Sequence, residues 1–220
     1  MITANEIYLS YDKNRFIIKK GSLHIRDKEF IFIGGNSGSG KSTLIKSFYG
    51  DIGLKHGELF VDGHKMKDIS AADLRKLRRD IGIIFQDYKL VNDWTIEENI
   101  MLPLKINGYS NDISRKQALN LLSHVKLAHR KGFKPNELSG GEQQRVAVAR
   151  ALAHNPKIII ADEPTGNLDD YSAEVVWNLL RGANEQLGIT VVVVTHRVPK
   201  NFGIKFRQLS IEDGIIYEVS

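Results

Sequence analysis

Apolar residues in the first third of the chain fall in short runs, the pattern of strands. Ile2 to Leu9, Leu23 to Ile25 and Phe30 to Ile33 read this way, as does Glu58 to Val61, which ends at the turn signal Asp62-Gly63. From Asp112 to Val125 the spacing changes: Ala118, Leu121, Leu122 and Val125 recur at i, i+3, i+4 and i+7, predicting an amphipathic helix. Two continuous apolar runs follow, Ile158 to Ala161 and Val191 to Val194, as expected of strands covered on both faces. Between them Ala173, Val176, Trp177, Leu180 and Leu187 line one side of a predicted helix, and Asp213-Gly214 marks a final hairpin. Strand, helix and strand in this order imply a right-handed crossover and an α/β core with a mainly parallel sheet.

Composition narrows the class without changing that picture. The 220 residues, 42% hydrophobic and 26% charged, suit one well-buried domain without an internal repeat or linker. No run approaches the ~18 apolar residues of a membrane span, and the first residues lack the pattern of a secretory signal, so a soluble cytoplasmic chain is expected. The absence of cysteine excludes disulfides and thiolate metal sites. The formal charge of +5 is expected to be solvated surface charge, with no nucleic-acid partner. The cluster Arg75-Lys76-Leu77-Arg78-Arg79 is expected to form one helix face.

Candidate chemistry begins at Gly35-Asn36-Ser37-Gly38-Ser39-Gly40-Lys41-Ser42, which fits the phosphate-loop pattern G-x-x-x-x-G-K-[ST] between an apolar strand and a helix starting at Thr43. Glycines let successive backbone N–H groups turn inward, and the helix start adds its positive dipole end. Lys41 is expected to reach the β- and γ-phosphates, Ser42 to ligate Mg2+, and Thr43 to contact phosphate. Small-molecule kinases, GTPases and motor ATPases share such a loop, so other residues must choose among them.

Two further motifs do so. Leu138-Ser139-Gly140-Gly141-Glu142 puts a capping serine before two bare glycine amides, a second anion-ready helix start. The strand Ile158 to Ala161 runs into Asp162-Glu163, placing two carboxylates at the ligand-binding edge of a sheet. With the phosphate loop, these resemble the signature and Walker B motifs of the ABC-type ATPases, with Glu142 where the family usually has glutamine. Asp27-Lys28-Glu29 also departs from the family, which commonly has glycine before the glutamate.

The resemblance implies a P-loop NTPase core in residues 1–86 and 139–220, carrying an N-terminal antiparallel β subdomain, with an inserted helical subdomain at 87–138. It implies ATP and Mg2+ as ligands, with Asp162 holding the metal and Glu163 acting as base. Gln86 would be the glutamine that senses metal and water, Asp169 would belong to the D-loop, and His196 would be the switch histidine. Tyr11 would stack on adenine, with Tyr8 and Phe16 as near rivals. Two chains would close head to tail around two ATP molecules, the signature serine of each facing the other's γ-phosphate. An integral membrane partner would dock near 87–107, placing the chain at the cytoplasmic face of the cell membrane. Within the family, Ile81 to Asp87, Leu90, Asp93, Thr95, Asn99, Leu102-Pro103-Leu104 and Ala161 to Asp170 are most similar to the cell-division branch. ATPases of lipoprotein-release and macrolide-export complexes are the alternative.

Overall fold

The computed structural model describes residues 1–12, 15–199 and 202–219. Ile2–Leu9 (β1) pairs antiparallel with Ile18–Ile25 (β2) on one side and with Leu54–Val61 (β4) on the other, and His64–Lys65 (β5) closes this four-stranded sheet. Phe30–Gly34 (β3) lies inside a second, six-stranded sheet between Thr190–Val194 (β8) and Arg207–Glu212 (β9). Ile81–Ile84 (β6) and Ile158–Asp162 (β7) continue it beyond β8, and Ile215–Val219 (β10) forms the other edge. Every pairing in this sheet is parallel except β9 with β10.

Because strand side chains alternate between faces, the same four-residue runs supply two cores. Ile31, Ile33, Ile158, Ile160, Val192 and Val194 pack with the four-stranded sheet and with Lys41–Phe48 (α1). Their neighbours Phe32, Ile159, Ala161, Val191 and Val193 face the opposite way. There they meet Val148 and Ala151 of Gly140–Leu152 (α5) and Val176, Trp177 and Leu180 of Asp170–Glu185 (α6). Burial on both faces is what the uninterrupted apolar runs require.

Ala71–Arg79 (α2) precedes β6. Ile96–Ile106 (α3) and Asn111–His124 (α4) form a third core with α5 through Ile96, Ile100, Leu104, Ala118, Leu122, Val146 and Ala149. The fold is the expected α/β class, with one antiparallel sheet, one mainly parallel sheet and a helical lobe.

Local details depart from the periodicity reading. β2 starts at Ile18, five residues earlier than the apolar run suggests, because Lys20 adopts φ 52 and the register with β1 shifts there. β4 begins at Leu54, its start hidden by Lys55-His56-Gly57. Leu187 does not extend the apolar side of α6: the helix ends at Glu185, Gly188 takes φ 65, and Leu187 is 61% exposed. Arg75 to Arg79 are consecutive, so at about 100° per residue they wrap around α2 and form no single face. Leu77 points inward, while Arg78 reaches the carbonyls of Tyr49 and Gly50 at the end of α1.

Candidate nucleotide site

β3 runs straight into the phosphate loop, whose curl depends on positive φ at Gly35 (136°), Gly38 (78°) and Gly40 (107°). A Cβ on Gly35 would lie 2.5 Å from the Ile211 carbonyl oxygen, so only glycine fits beneath β9. Gly40 is the N-cap of α1 without any side-chain cap, which leaves that helix start bare for an anion. Lys41 is buried and folds back over the loop, its Nζ donating to the carbonyls of Gly35 (2.8 Å) and Asn36 (2.9 Å). Ser39 Oγ is buried with no hydrogen-bond partner among the described residues.

Asn36 to Thr43 form one wall of an open cleft of about 1140 Å³, and Tyr11, Phe16, Ile17 and the Asp213-Gly214 turn contribute to the remainder, together with Arg15 and Lys19. The cleft is large enough for a nucleotide. Tyr11 is 60% exposed, with Lys46 Nζ 5.8 Å from its ring centre. Tyr8 is not in the wall and packs edge-on against Phe16 and His56, whereas Phe16 contributes to the cleft as well.

The carboxylates sit where β7 ends. Ser42 Oγ donates to Asp162 Oδ1 at 3.2 Å, joining a helix start to a strand end 120 residues later. Desolvation raises the Asp162 pKa above the usual carboxylate value, with Glu163 adding to the shift and Ser42, Lys46 and Lys41 opposing it. A partly desolvated carboxylate beside a hydroxyl, both hard oxygen donors, is a chemical fit for Mg2+ completed by phosphate and water oxygens. Glu163 lies next along the chain with φ 46, in the left-handed region that most residues avoid. Its N–H donates to Val194, and its carboxylate accepts from the His196 N–H at 3.0 Å and lies 3.0 Å from His196 Nδ1. Glu163 and His196 are thus a contacting pair. Gln86 is exposed, two residues past the end of β6, the strand beside β7.

The signature residues lie outside this cleft. Ser139 caps α5: its Oγ accepts from the Glu142 N–H, while Glu142 Oε2 accepts from the Ser139 N–H (2.9 Å) and hydroxyl (3.1 Å). Partial burial acts to raise the Glu142 pKa, but the Ser139 bonds, Arg130 and Arg145 hold it below the usual value. Gly141 is required by packing, since a Cβ there would lie 2.6 Å from Ser172 Oγ and 3.6 Å from Asp169 Oδ2. Asp169 caps α6 by accepting from the Ser172 N–H at 2.9 Å, and Arg145 Nη1 donates to Ser172 Oγ. Gly140 meets Tyr88 instead, its Cβ position being 3.0 Å from the phenol oxygen.

Two arrangements escaped sequence reasoning. Asn99 is wholly buried and binds Val91 N–H, Val91 O and Thr95 O, fixing the segment after Gln86 onto α3. The signal present for α3 was the capping box Thr95–Glu98. Arg150 donates to the Tyr88 and Lys89 carbonyls, a contact that no spacing rule announces.

With a phosphate loop, a capped serine-glycine helix start and a strand-end acid pair in one fold, family comparison becomes decisive: the family model described as "ABC transporter" matches residues 18–166. The chain belongs to the ABC transporter family. As an ABC ATPase it binds and hydrolyses ATP. It is 39% identical over 214 residues to "Cell division ATP-binding protein FtsE" of Streptococcus pneumoniae serotype 2, covering 97% of this chain and 93% of that one. It is 37% identical to "Methionine import ATP-binding protein MetN" of Clostridioides difficile, covering all of this chain and 68% of the other. Among solved structures, the dimeric post-hydrolysis state of the ATP-binding cassette MJ0796 bound to ADP and Pi matches with TM-score 0.91 and 39% identity, covering 100% of this chain and 98% of that one. None of the described helices of this ABC ATPase is long and apolar enough to cross a membrane.

Proposed function

We propose that this chain is the ATPase subunit of a membrane complex of the FtsE type, closing as a homodimer around two ATP molecules to drive an FtsX-like permease that activates cell-wall hydrolysis. The observation that carries the dimer is the separation of the two anion-ready helix starts. The start of α1 faces its own cleft, whereas Ser139 lies outside that cleft and is available to a second copy. The cell-division role rests on the similarity to FtsE over nearly the whole chain. The chain would act at the cytoplasmic face of the cell membrane, peripheral to its integral partner, with the lobe at 87–138 as the docking face and without nucleic acid.

In this reading Tyr11 stacks on the base, the amides of residues 35–43 surround the phosphates, and Lys41 leaves the Gly35 and Asn36 carbonyls to bind β- and γ-phosphate oxygens. Ser42, Asp162 and Gln86 would hold Mg2+, which supplies charge neutralisation on the phosphates when bound. Glu163 orients a water and takes its proton, and His196, already against that carboxylate, holds the base in place. Ser139 and the amides of Gly140 and Gly141 complete the γ-phosphate contacts from the other chain. Loss of that phosphate removes the bridging charge, and the dimer reopens.

The test is Glu163→Gln in the full chain. Turnover is expected to fall at least about 100-fold, with an ATP-bound dimer accumulating on size exclusion. Monomers alone at saturating ATP and Mg2+ would overturn the dimer. A membrane pull-down with the same variant should recover an FtsX-like permease, and depletion should give filamentous, undivided cells. Recovery of a methionine-import or lipoprotein-release permease, with normal division, would overturn the cell-division role alone.

A further inference from the structure

Tyr88 and Lys89 follow Gln86 by two and three residues and adopt φ 61 and φ 48, consecutive non-glycine residues in the left-handed region. Such a pair persists only where its surroundings impose it. Part of the restraint is local: Lys89 N–H donates to the Asp87 carbonyl, and Lys89 Nζ pairs with the Asp87 carboxylate at 2.7 Å. The rest comes from one helix. Arg150, in the last turn of α5, donates from Nη1 to the Lys89 carbonyl and from Nη2 to the Tyr88 carbonyl, each at 2.6 Å. At the other end of α5 the Tyr88 phenol lies against Gly140. These contacts are ten residues, or about 15 Å, apart along the helix. Arg150 reaches toward the N-terminus, as helical side chains do, and the tyrosine ring spans much of the remaining length. The guanidinium keeps this place although burial lowers its pKa to about 10, so it remains charged at neutral pH.

We propose that Arg150 is a positioning residue that ties the turn carrying Gln86 to the signature helix, so that a shift of Ser139 on meeting phosphate is transmitted to Gln86 of the same chain. The proposal rests on the reading of Ser139 and Gln86 given above. A planar fork with two donors suits two adjacent carbonyls, whereas a lysine ammonium keeps the charge and loses the fork.

The experiment compares the wild-type chain with Arg150→Lys and Arg150→Met. It measures kcat and KM for ATP, binding of a fluorescent ATP analogue, the thermal midpoint, and hydrogen exchange at the amides of residues 87–90. For Arg150→Met, kcat is expected to fall about tenfold or more, with KM and analogue binding within about threefold and exchange at 87–90 faster than in the wild type. Arg150→Lys should fall between the two, and it decides alone if the methionine variant does not fold. A folded variant with wild-type kcat, or a rate loss matching only the loss of folded protein, overturns the proposal. A wild-type chain without ATP turnover would overturn the functional reading instead, and exchange at 87–90 would still decide whether Arg150 fixes the turn.

Discussion

The first turns of α1 and α5 are two differently built helix starts, each of which meets phosphate in the function proposed above. At α1 the N-cap is Gly40, no side chain caps the helix, and its first turn holds no acid, so its free amides and Lys41 face the cleft directly. At α5 the start carries Ser139 and two glycines, but a capping box already occupies the serine, and the Glu142 carboxylate sits 3.1 Å from its hydroxyl. The first start is open and cationic. The second is stabilised within its own chain, so in the proposed dimer phosphate would have to compete for it. That difference suits the proposed dimer, in which the first half binds nucleotide within its own chain and the second engages only on closure.

The largest expected break in the comparison is Asp162→Asn. Without its carboxylate, the first half keeps its loop but loses its metal donor, so turnover should fall at least about 100-fold. Stabilisation by ATP should also cease to depend on Mg2+. Stability without ligand should move the opposite way. The folded-state pKa of Asp162 is raised, so its ionised form costs stability at neutral pH, and this cost disappears as pH falls through that pKa. Asparagine removes the cost, raising Tm by about 2–4 °C at pH 7.5 for each kcal/mol recovered, with the advantage shrinking under acid. A thermal melt in EDTA across pH checks both signs; a lower Tm for the variant at neutral pH would contradict the desolvation argument.

Gly141→Ala should disturb only the second half. A Cβ 2.6 Å from Ser172 Oγ forces the Asp169–Ser172 cap of α6 to shift, at about 1–3 kcal/mol of overpacking, partly offset by alanine's better helix propensity. ATPase activity should fall about tenfold, while binding of a fluorescent nucleotide to the monomer stays within about threefold, because the cleft at α1 is untouched. Equal losses in binding and turnover would mean that the two helix starts are not separable.

How much of this was legible in the sequence follows the same divide. The phosphate loop and the acid pair were visible because their chemistry is local: a glycine pattern, one lysine, and carboxylates at the end of an apolar run. Lys28 adopts φ 61, in the left-handed region that favours glycine, and it was legible only as a departure from the glycine the family resemblance led one to expect. α3 keeps a helical pattern, with Ile96, Ile100 and Leu104 recurring every fourth residue, but Pro103 inside it is the residue type that argues against a helix. The Arg150 bonds and the fit of Gly141 against Ser172 join residues 31 to 62 positions apart, and no periodicity reports such contacts.

Glu142→Gln sharpens the comparison with the smallest change. Glutamine can keep the capping box, since its amide oxygen still accepts from Ser139. What is lost is a charge at a helix N-terminus and a 3.5 Å pair with Arg130, together worth about 0.5–1 kcal/mol after solvent screening. In the wild type this contribution is present above the unfolded glutamate pKa and is lost as pH falls through the depressed folded value, so the stability gap between the two proteins should close in acid. Closure should respond in the opposite sense. A carboxylate beside Ser139 Oγ repels an incoming γ-phosphate, and removing it should tighten the ATP-bound dimer severalfold in the Glu163→Gln background, most at low salt. Analytical ultracentrifugation at two ionic strengths reads this directly. A dimer weakened by the neutral side chain would mean that the capping box, and not its charge, governs how Ser139 meets phosphate.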